Sequence, residues 1–532
     1  MNSFQRKSLY AALAGVGALG VTATANAVSV NPNGLGQVLI YPYYTVQSDA
    51  AGNAYNSLLS VVNTDSSAKA VKVRFLEGKN SREVLDFNLF LSKFDVWTAG
   101  IVPSSSGGAK IITNDNSCTI PESKTTLQLG VNFVNFGYIG ILDDGGGSGL
   151  DRTKEGYVEI IEMASYTTAN CTSQQVTHVA GVPQCQTPGP KGKSLNDPSA
   201  ATDASGTTGG LFGGMTLINV GSGTDYTEDA VALEKFNQPL FGGGLYFSAG
   251  SIFPDLSFSG PKRSVVFNAL DFGTTVFNVD GTIKTQFNYE FENNYGIFQS
   301  NWTSTDCVNI TTGAALACLA ADPVSAVLMH NQVMNEFVLD AVTKSGTDWV
   351  ITFPTKRFYS LSTSTGGNTG SAPKLFQKNF KGTACDDVLI NVFDREEQFT
   401  TTPQSFSPPQ PGAAPTALCY EANVLTFNGS NVLGSKNSQS LTTTFADGWA
   451  DIHLSSGTNL AATPYHKLIN SATTELTSGV AGATTGTFTY QGLPVVGFAV
   501  QSFTNGTLVV SGTNVLANYG GNFAHRYTTV IN

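Results

Sequence analysis

Lys69-Ala70-Val71-Lys72-Val73-Arg74-Phe75 is the stretch that decides the fold. Val71, Val73 and Phe75 fall on one side of an extended chain, Lys72 and Arg74 on the other. A period of two marks a half-buried β-strand and not a helix. Gly78-Lys79-Asn80 then turns the chain. Leu85, Phe87, Leu89 and Leu91 alternate with Asp86, Asn88 and Phe90. Upstream, Gln37 to Val46 and Ser57 to Val62 read as further strands, and Asn63 to Ser67 is a turn cluster. Strands in this succession predict one antiparallel sheet of a sandwich, with one face in water.

Hairpin signals recur towards the C-terminus. Asp280-Gly281 separates Thr275–Val279 from Thr282–Phe291, and Asn428-Gly429 follows Val424–Phe427. Asn505-Gly506 separates Val496–Phe503 from Thr507–Val510. These pairs supply the positive φ angles of type I′ turns. One stretch reads as a helix. Asp322 can cap it, Pro323 suits its first position, and apolar residues run from Val324 to Val338. Ala230 to Phe236 reads as a shorter helix. The predicted fold class is mainly β: antiparallel sandwich-like halves, immunoglobulin-like among the forms allowed, with one helical insertion. Strand should exceed helix by at least about threefold.

The N-terminus carries a different signal. Arg6 and Lys7 precede an apolar run from Leu9 to Val21, and Ala25-Asn26-Ala27 closes it. This is the layout of a secretory signal peptide, cleaved before Val28. The run is too short for a comfortable membrane helix, which needs about 20 residues. The expected organisation is a signal peptide at 1–27, a sandwich region at 28–165 and a second β region at 166–300 with a long stapled loop at 166–208. A helical insertion at 301–345 and a C-terminal sandwich region at 346–532 complete it.

Composition narrows the function. Charged residues make up 13% of the chain, against a usual ~25%. Net charge is −11, and loss of Arg6 and Lys7 would take it to −13. An acidic chain without a basic run argues against nucleic acid as a partner. No later segment is long and apolar enough to span a bilayer as a helix. The chain is expected to be exported, to the cell surface or the medium, with the periplasm as the other destination.

An oxidising compartment should pair the cysteines. The simplest pairing is Cys171–Cys185, Cys307–Cys318 and Cys385–Cys419, leaving Cys118 alone; spacing does not fix connectivity. There is no CxxC, and His178, His330, His453, His466 and His525 are scattered singly, so a zinc site is not indicated.

Two acidic groups offer chemistry. Gly146-Gly147-Ser148-Gly149-Leu150-Asp151 matches the start of a calcium-binding glycine-rich nonapeptide. Asp143, Asp144, Asp151 and Glu155 could supply oxygens to Ca²⁺. A β-roll needs tandem copies, and here there is one, so a plain glycine loop competes with that reading. Asp386 and Asp387 precede a buried strand, and Glu396 and Glu397 follow it. Two carboxylates ~5–10 Å apart would suit glycoside hydrolysis. The intervening strand spreads the clusters farther, at ~3.3 Å per residue. No Gly-x-Ser-x-Gly, HExxH, P-loop or dinucleotide glycine motif occurs. The tryptophans Trp97, Trp302, Trp349 and Trp449 can fill core or stack on sugars; core is expected for Trp97 and Trp349.

Several segments act as a set: Gly34 to Tyr44, Lys69 to Trp97, Gly209 to Gly214, Asp348 to Tyr359, Phe393-Asp394-Arg395-Glu396-Glu397, and Gly492 to Phe503. Together they resemble a group of secreted or cell-envelope proteins of proteobacteria to which no activity is assigned. The resemblance implies a bacterial envelope or extracellular origin and no catalytic residue. The expected function is therefore a non-enzymatic surface or extracellular protein, structural or adhesive. Its expected partners are itself or cell-surface and matrix components. A carbohydrate-binding or glycoside-cleaving protein is the first alternative, and an outer-membrane β-barrel the second.

Overall fold

A computed structural model of the chain describes residues 27–168, 171–185, 195, 204, 206–237, 246–260, 262–269, 295–309, 314–360, 375–376, 378–401, 417–455, 466–477 and 484–532. The signal-peptide stretch before Ala27, the Asp280-Gly281 hairpin and most of the long loops lie outside these residues. Strand accounts for 50% and helix for 9%, so the mainly β class holds.

The first half folds into two sheets. Its strands are β1 (Ser29–Val30), β2 (Val38–Thr45), β3 (Asn56–Asn63), β4 (Ala68–Glu77), β5 (Glu83–Leu91), β6 (Val96–Pro103) and β7 (Ala109–Ile112). They continue with β8 (Cys118–Ile120), β9 (Val131–Asn132), β10 (Glu155–Tyr166), β11 (Leu211–Asn219), β12 (Thr224–Asp229) and β13 (Val231–Glu234). One sheet runs β1-β13-β2-β10-β4-β5-β8, the other β12-β11-β3-β6-β7-β9. Successive strands therefore do not build a single sheet as the pattern predicted: β2, β4 and β5 go to one, β3 and β6 to the other. The inward side chains meet between them, with Val71, Val73, Phe75, Phe87 and Leu89 packed with Leu59, Val61, Trp97, Ile101 and Leu217.

The predicted wet face of β4 is not wet. Every residue of β4 is buried. Residues 246–260 cross the outer face of the sheet. Asn88 donates to the Phe247 carbonyl at 2.9 Å, and Phe90 packs against Tyr246 with centroids 6.4 Å apart. Charge survives there because each cation is matched. Lys69 Nζ sits 2.8 Å from Glu162, Lys72 pairs with Asp86, and Arg74 bridges Glu83 at 2.8 Å and Glu159. An unmatched charge in that layer would face a desolvation penalty of several kcal/mol.

The second half continues these layers. Ser438–Leu441, Ala422–Phe427, Gly346–Thr352, Val496–Val510 and Thr513–Ala524 form one sheet in that order. Its first pair is parallel and the rest antiparallel. Another runs Phe399–Thr401, Leu389–Phe393, Asp447–His453, Gln332–Val338 and Arg526–Thr528. The cores are shared between halves. Val350, Val424 and Phe498 join the first sandwich's interior, while Val38, Ile40 and Ile161 join Trp349, Phe427 and Ile452.

The helical expectations are corrected. The helix at Asp322 has Pro323 in its first turn but ends at Val327. Met329–His330 and Gln332–Val338 follow as strands, because Val333 and Phe337 are buried with a strand's alternation. Residues 230–236 contain β13, which pairs with β2. Asn428-Gly429 is a turn with both residues at positive φ, yet the chain returns in parallel. Asn505-Gly506 is no turn. The strand continues to Val510 with a register shift at that point, and Ser511-Gly512 makes the turn at φ 50° and 82°.

Candidate functional site

The acidic residues singled out from the sequence are dispersed. Asp386 is buried and pairs with Lys356 Nζ at 2.9 Å. Asp387 lies beside it in a two-residue strand against Ala417–Leu418. Glu396 and Glu397 sit exposed in the turn beyond Leu389–Phe393, where Asp394 Oδ1 accepts from the backbone of Glu396 and Gln398. One cluster anchors structure and the other shapes a turn.

The glycine-loop carboxylates also part company. Arg152 grips Asp144 with two nitrogens, at 2.8 and 3.1 Å, and holds Glu77 at 2.8 and 3.1 Å. Burial works to raise the Asp144 pKa, but hydrogen bonds from Arg152, Asn80 and the Gly146 amide outweigh it and bring it to about 2. Glu155 points elsewhere, accepting from Tyr43, Gln47, Ser435 and the Lys436 amide. Asp143 accepts from the Gly145 amide. Asp151 Oδ1 lies against Gly149. Among the described residues, Cys307, Cys318 and Asp322 are the one trio of His, Cys, Asp or Glu with ligand atoms within 4.8 Å of one another. Its sulfurs are bonded to each other.

Three disulfides are present: Cys118–Cys185, Cys307–Cys318 and Cys385–Cys419. The first corrects the neighbour pairing, since Cys171 is the free cysteine. Cys118 lies on the edge strand β8, and the chain after the Cys171–Val176 helix brings Cys185 back to it across 67 residues. His330 is not helical either. It stacks on Tyr527 at 4.3 Å, and burial lowers its pKa to about 4.

A different face gathers polar and aromatic groups. In Asp447–His453 the even residues Ala450 and Ile452 enter the core. The odd residues Asp447, Trp449, Asp451 and His453 line the opposite face. The register sets Phe393 and Glu336 beside Trp449, Asn391 and Met334 beside Asp451, and Gln332 beside His453. Trp97, Trp302 and Trp349 are fully buried, whereas Trp449 is 40% exposed. Phe393 stacks under it, centroids 4.3 Å apart and planes 11° from parallel. A planar apolar surface is thus fixed beside polar groups. His453 Nε2 lies 3.1 Å from Asp451 Oδ2 and 2.9 Å from the Asn391 amide, and Gln332 Nε2 is 3.2 Å from Nδ1. Asp451 Oδ1 is buried and has no hydrogen-bond partner among the described residues. Arg395 pairs with Asp447 at 2.7 Å at the rim.

Rungs on one face of a strand repeat every ~7 Å and strands lie ~4.8 Å apart. The face is therefore ~14 Å long: one aromatic rung, one carboxylate–amide rung and one imidazole–amide rung. Trp449 was visible in the sequence as a residue suited to sugar stacking. Its neighbours were not, although the alternation Asp447-Gly448-Trp449-Ala450-Asp451-Ile452-His453 carried the signal. No family model, curated protein or solved structure matches the chain.

Proposed function

We propose that this is an exported, non-enzymatic adhesive protein that binds saccharide through the Trp449 face. The exposed Trp449 stacked on Phe393 carries the proposal. Indole offers an apolar plane to a sugar's C–H face, and the adjoining carboxylate, amides and imidazole suit its hydroxyls. Export is supported by the signal-peptide layout and three disulfides, which persist outside the cytoplasm. The resemblance to secreted proteobacterial proteins fits the same destination, at the cell surface, in the medium or in the periplasm. The described helices include none long and apolar enough to cross a membrane.

Purified mature protein, incubated with a panel of insoluble polysaccharides and arrayed glycans, should be retained by at least one. Trp449→Ala should weaken that retention at least about tenfold, equivalent to 1.4 kcal/mol, with Asp451→Asn weakening it less. Retention that is unchanged in Trp449→Ala, or absent across the panel, would overturn the proposal. Release of soluble sugar that disappears on replacing Asp386, Asp387, Glu396 and Glu397 by Ala would establish a glycosidase instead.

A further inference from the structure

The C-terminal hairpin extends beyond the sheet that roots it. Its first strand, Val496–Val510, pairs with Gly346–Thr352 only from Val496 to Ser502. Its second, Thr513–Ala524, closes the sheet as an edge. Near the root that edge is fastened by side chains to β12 and to the turn before it. Asn518 donates to the Ser222 carbonyl at 2.7 Å and Asn522 to the Thr227 carbonyl at 2.6 Å. Among the described residues, no backbone hydrogen bond from another element reaches residues 505–517.

Among the described residues, the tip exposes apolar side chains to both sides. Val509 and Val510 are neighbours, so they point to opposite sides, and they are 69% and 56% exposed. Val515 and Tyr519 are exposed as well. A two-stranded hairpin is marginal in water without a third strand or a covering layer. Edge strands of monomers are usually blunted by lysine, proline, a bulge or a charge on the face. The bulge at Asn505-Gly506 lies on the inner strand. The edge strand Thr513–Ala524 holds no charge and no proline.

We propose that this ribbon is a self-association arm, which pairs edge to edge with the same ribbon of a second copy. The charge distribution selects that occupant. A chain of net charge −11 repels its own copies, and Val496 to Ala524 contains no Asp, Glu, Lys, Arg or His. Two arms therefore meet without like-charge repulsion at the contact, while a basic partner gains no attraction there. Lipid is a poorer fit, because Thr513, Asn518 and Asn522 would carry hydroxyl and amide groups into hydrocarbon. Antiparallel pairing of Thr513–Ala517 with its symmetry mate satisfies that strand's open edge on each copy and makes a four-stranded ribbon. Such a contact is isologous, the same patch on both copies, and closes as a dimer. The inference is independent of the saccharide proposal. Where both hold, the dimer presents two Trp449 faces, and avidity multiplies a weak single-face affinity.

Sedimentation velocity of the mature protein, without any sugar, tests it. Wild type should show a concentration-dependent monomer–dimer equilibrium that strengthens with added salt, because salt screens the remaining repulsion. Val515→Lys and Val515→Asp should each weaken the dimer severalfold, since pairing centred on Val515 brings like charges opposite each other. This position is exposed, so circular dichroism should be unchanged. Mixing Val515→Lys with Val515→Asp should restore a heterodimer. A monomer at every concentration up to the solubility limit, or a dimer indifferent to both substitutions, would overturn the arm. Binding of the arm to neutral phosphatidylcholine vesicles in place of dimerisation would make lipid its occupant and overturn it as well.

Discussion

Phe393 and Trp449 are partners twice over: register neighbours on adjacent antiparallel strands, and stacked rings 4.3 Å apart. Trp449 is also the one tryptophan not shut in the interior. Acrylamide should therefore quench a minor component of the intrinsic fluorescence, and Trp449→Phe should abolish that component. Phe393→Ala should make Trp449 more quenchable by removing its backing ring. A bound saccharide should protect it. A quenchable component that persists in Trp449→Phe would place another tryptophan at the surface.

Cys171 should be the single cysteine that alkylates in protein denatured without reductant, and the Cys118 and Cys185 peptides should migrate together. Closing a 67-residue loop stabilises by about 4 kcal/mol in the chain-entropy model. The 11-residue Cys307–Cys318 loop gives about 3 kcal/mol. Cys118→Ser with Cys185→Ser should therefore lower stability at least as much as loss of the shorter bridge. A Cys171–Cys185 peptide in the non-reducing map would refute the connectivity.

How much of this was legible follows from the range of each cause. Alternation in β4 and β5 is local, so strands and inward residues were readable from seven or eight letters. Whether Lys72 and Arg74 faced water was not, because their cover comes from residues 246–260, far along the chain. Connectivity failed for the same reason: proximity in sequence favoured Cys171, and the fold supplied Cys118. Asn505-Gly506 has the composition of a turn, but its cross-strand partners continue past it and a bulge absorbs it. Residues 329–338 carry apolar side chains at spacings a helix also accepts, but pairing with Asp447–His453 imposes a strand. The Trp449 face needs three strands brought from 332–338, 389–393 and 447–453, so only its own strand's alternation could have announced it.

Arg152 is the hub of a buried charge triad. Its side chain is 1% exposed, and those of Glu77 and Asp144 are 0% and 4%. Arg152→Ala strands two carboxylates in that setting and should destabilise by about 3–5 kcal/mol, read from the denaturant midpoint. Asp144→Asn should be milder, because Arg152 keeps Glu77. Equal losses in the two variants would show that Asp144, not Arg152, organises the loop.

Stability should also fall as pH rises from about 5 to 8. Burial pushes Glu421 to about 8, Glu159 to about 7 against the pull of Arg74, and Glu228 to about 7. A carboxyl whose folded pKa lies above its unfolded value holds its proton better when folded. The stability it gives is complete below about 4.5 and is lost as pH climbs through the folded pKa. His330 and His525 act oppositely: burial lowers both to about 4, so their contribution is present above about 6.5 and lost on acidification through 4. The two trends cross, and the maximum should lie near the middle of the acidic range. Glu421 is the group to isolate, being 1% exposed with one carboxyl oxygen lacking a hydrogen-bond partner among the described residues. Glu421→Gln removes its proton equilibrium and keeps the shape. The variant should be close to wild type at pH 5 and more stable at pH 8.5, by on the order of 3 kcal/mol. Wild type and Glu421→Gln with parallel profiles of melting temperature from pH 5 to 8.5 would show that Glu421 is already ionised in the folded protein.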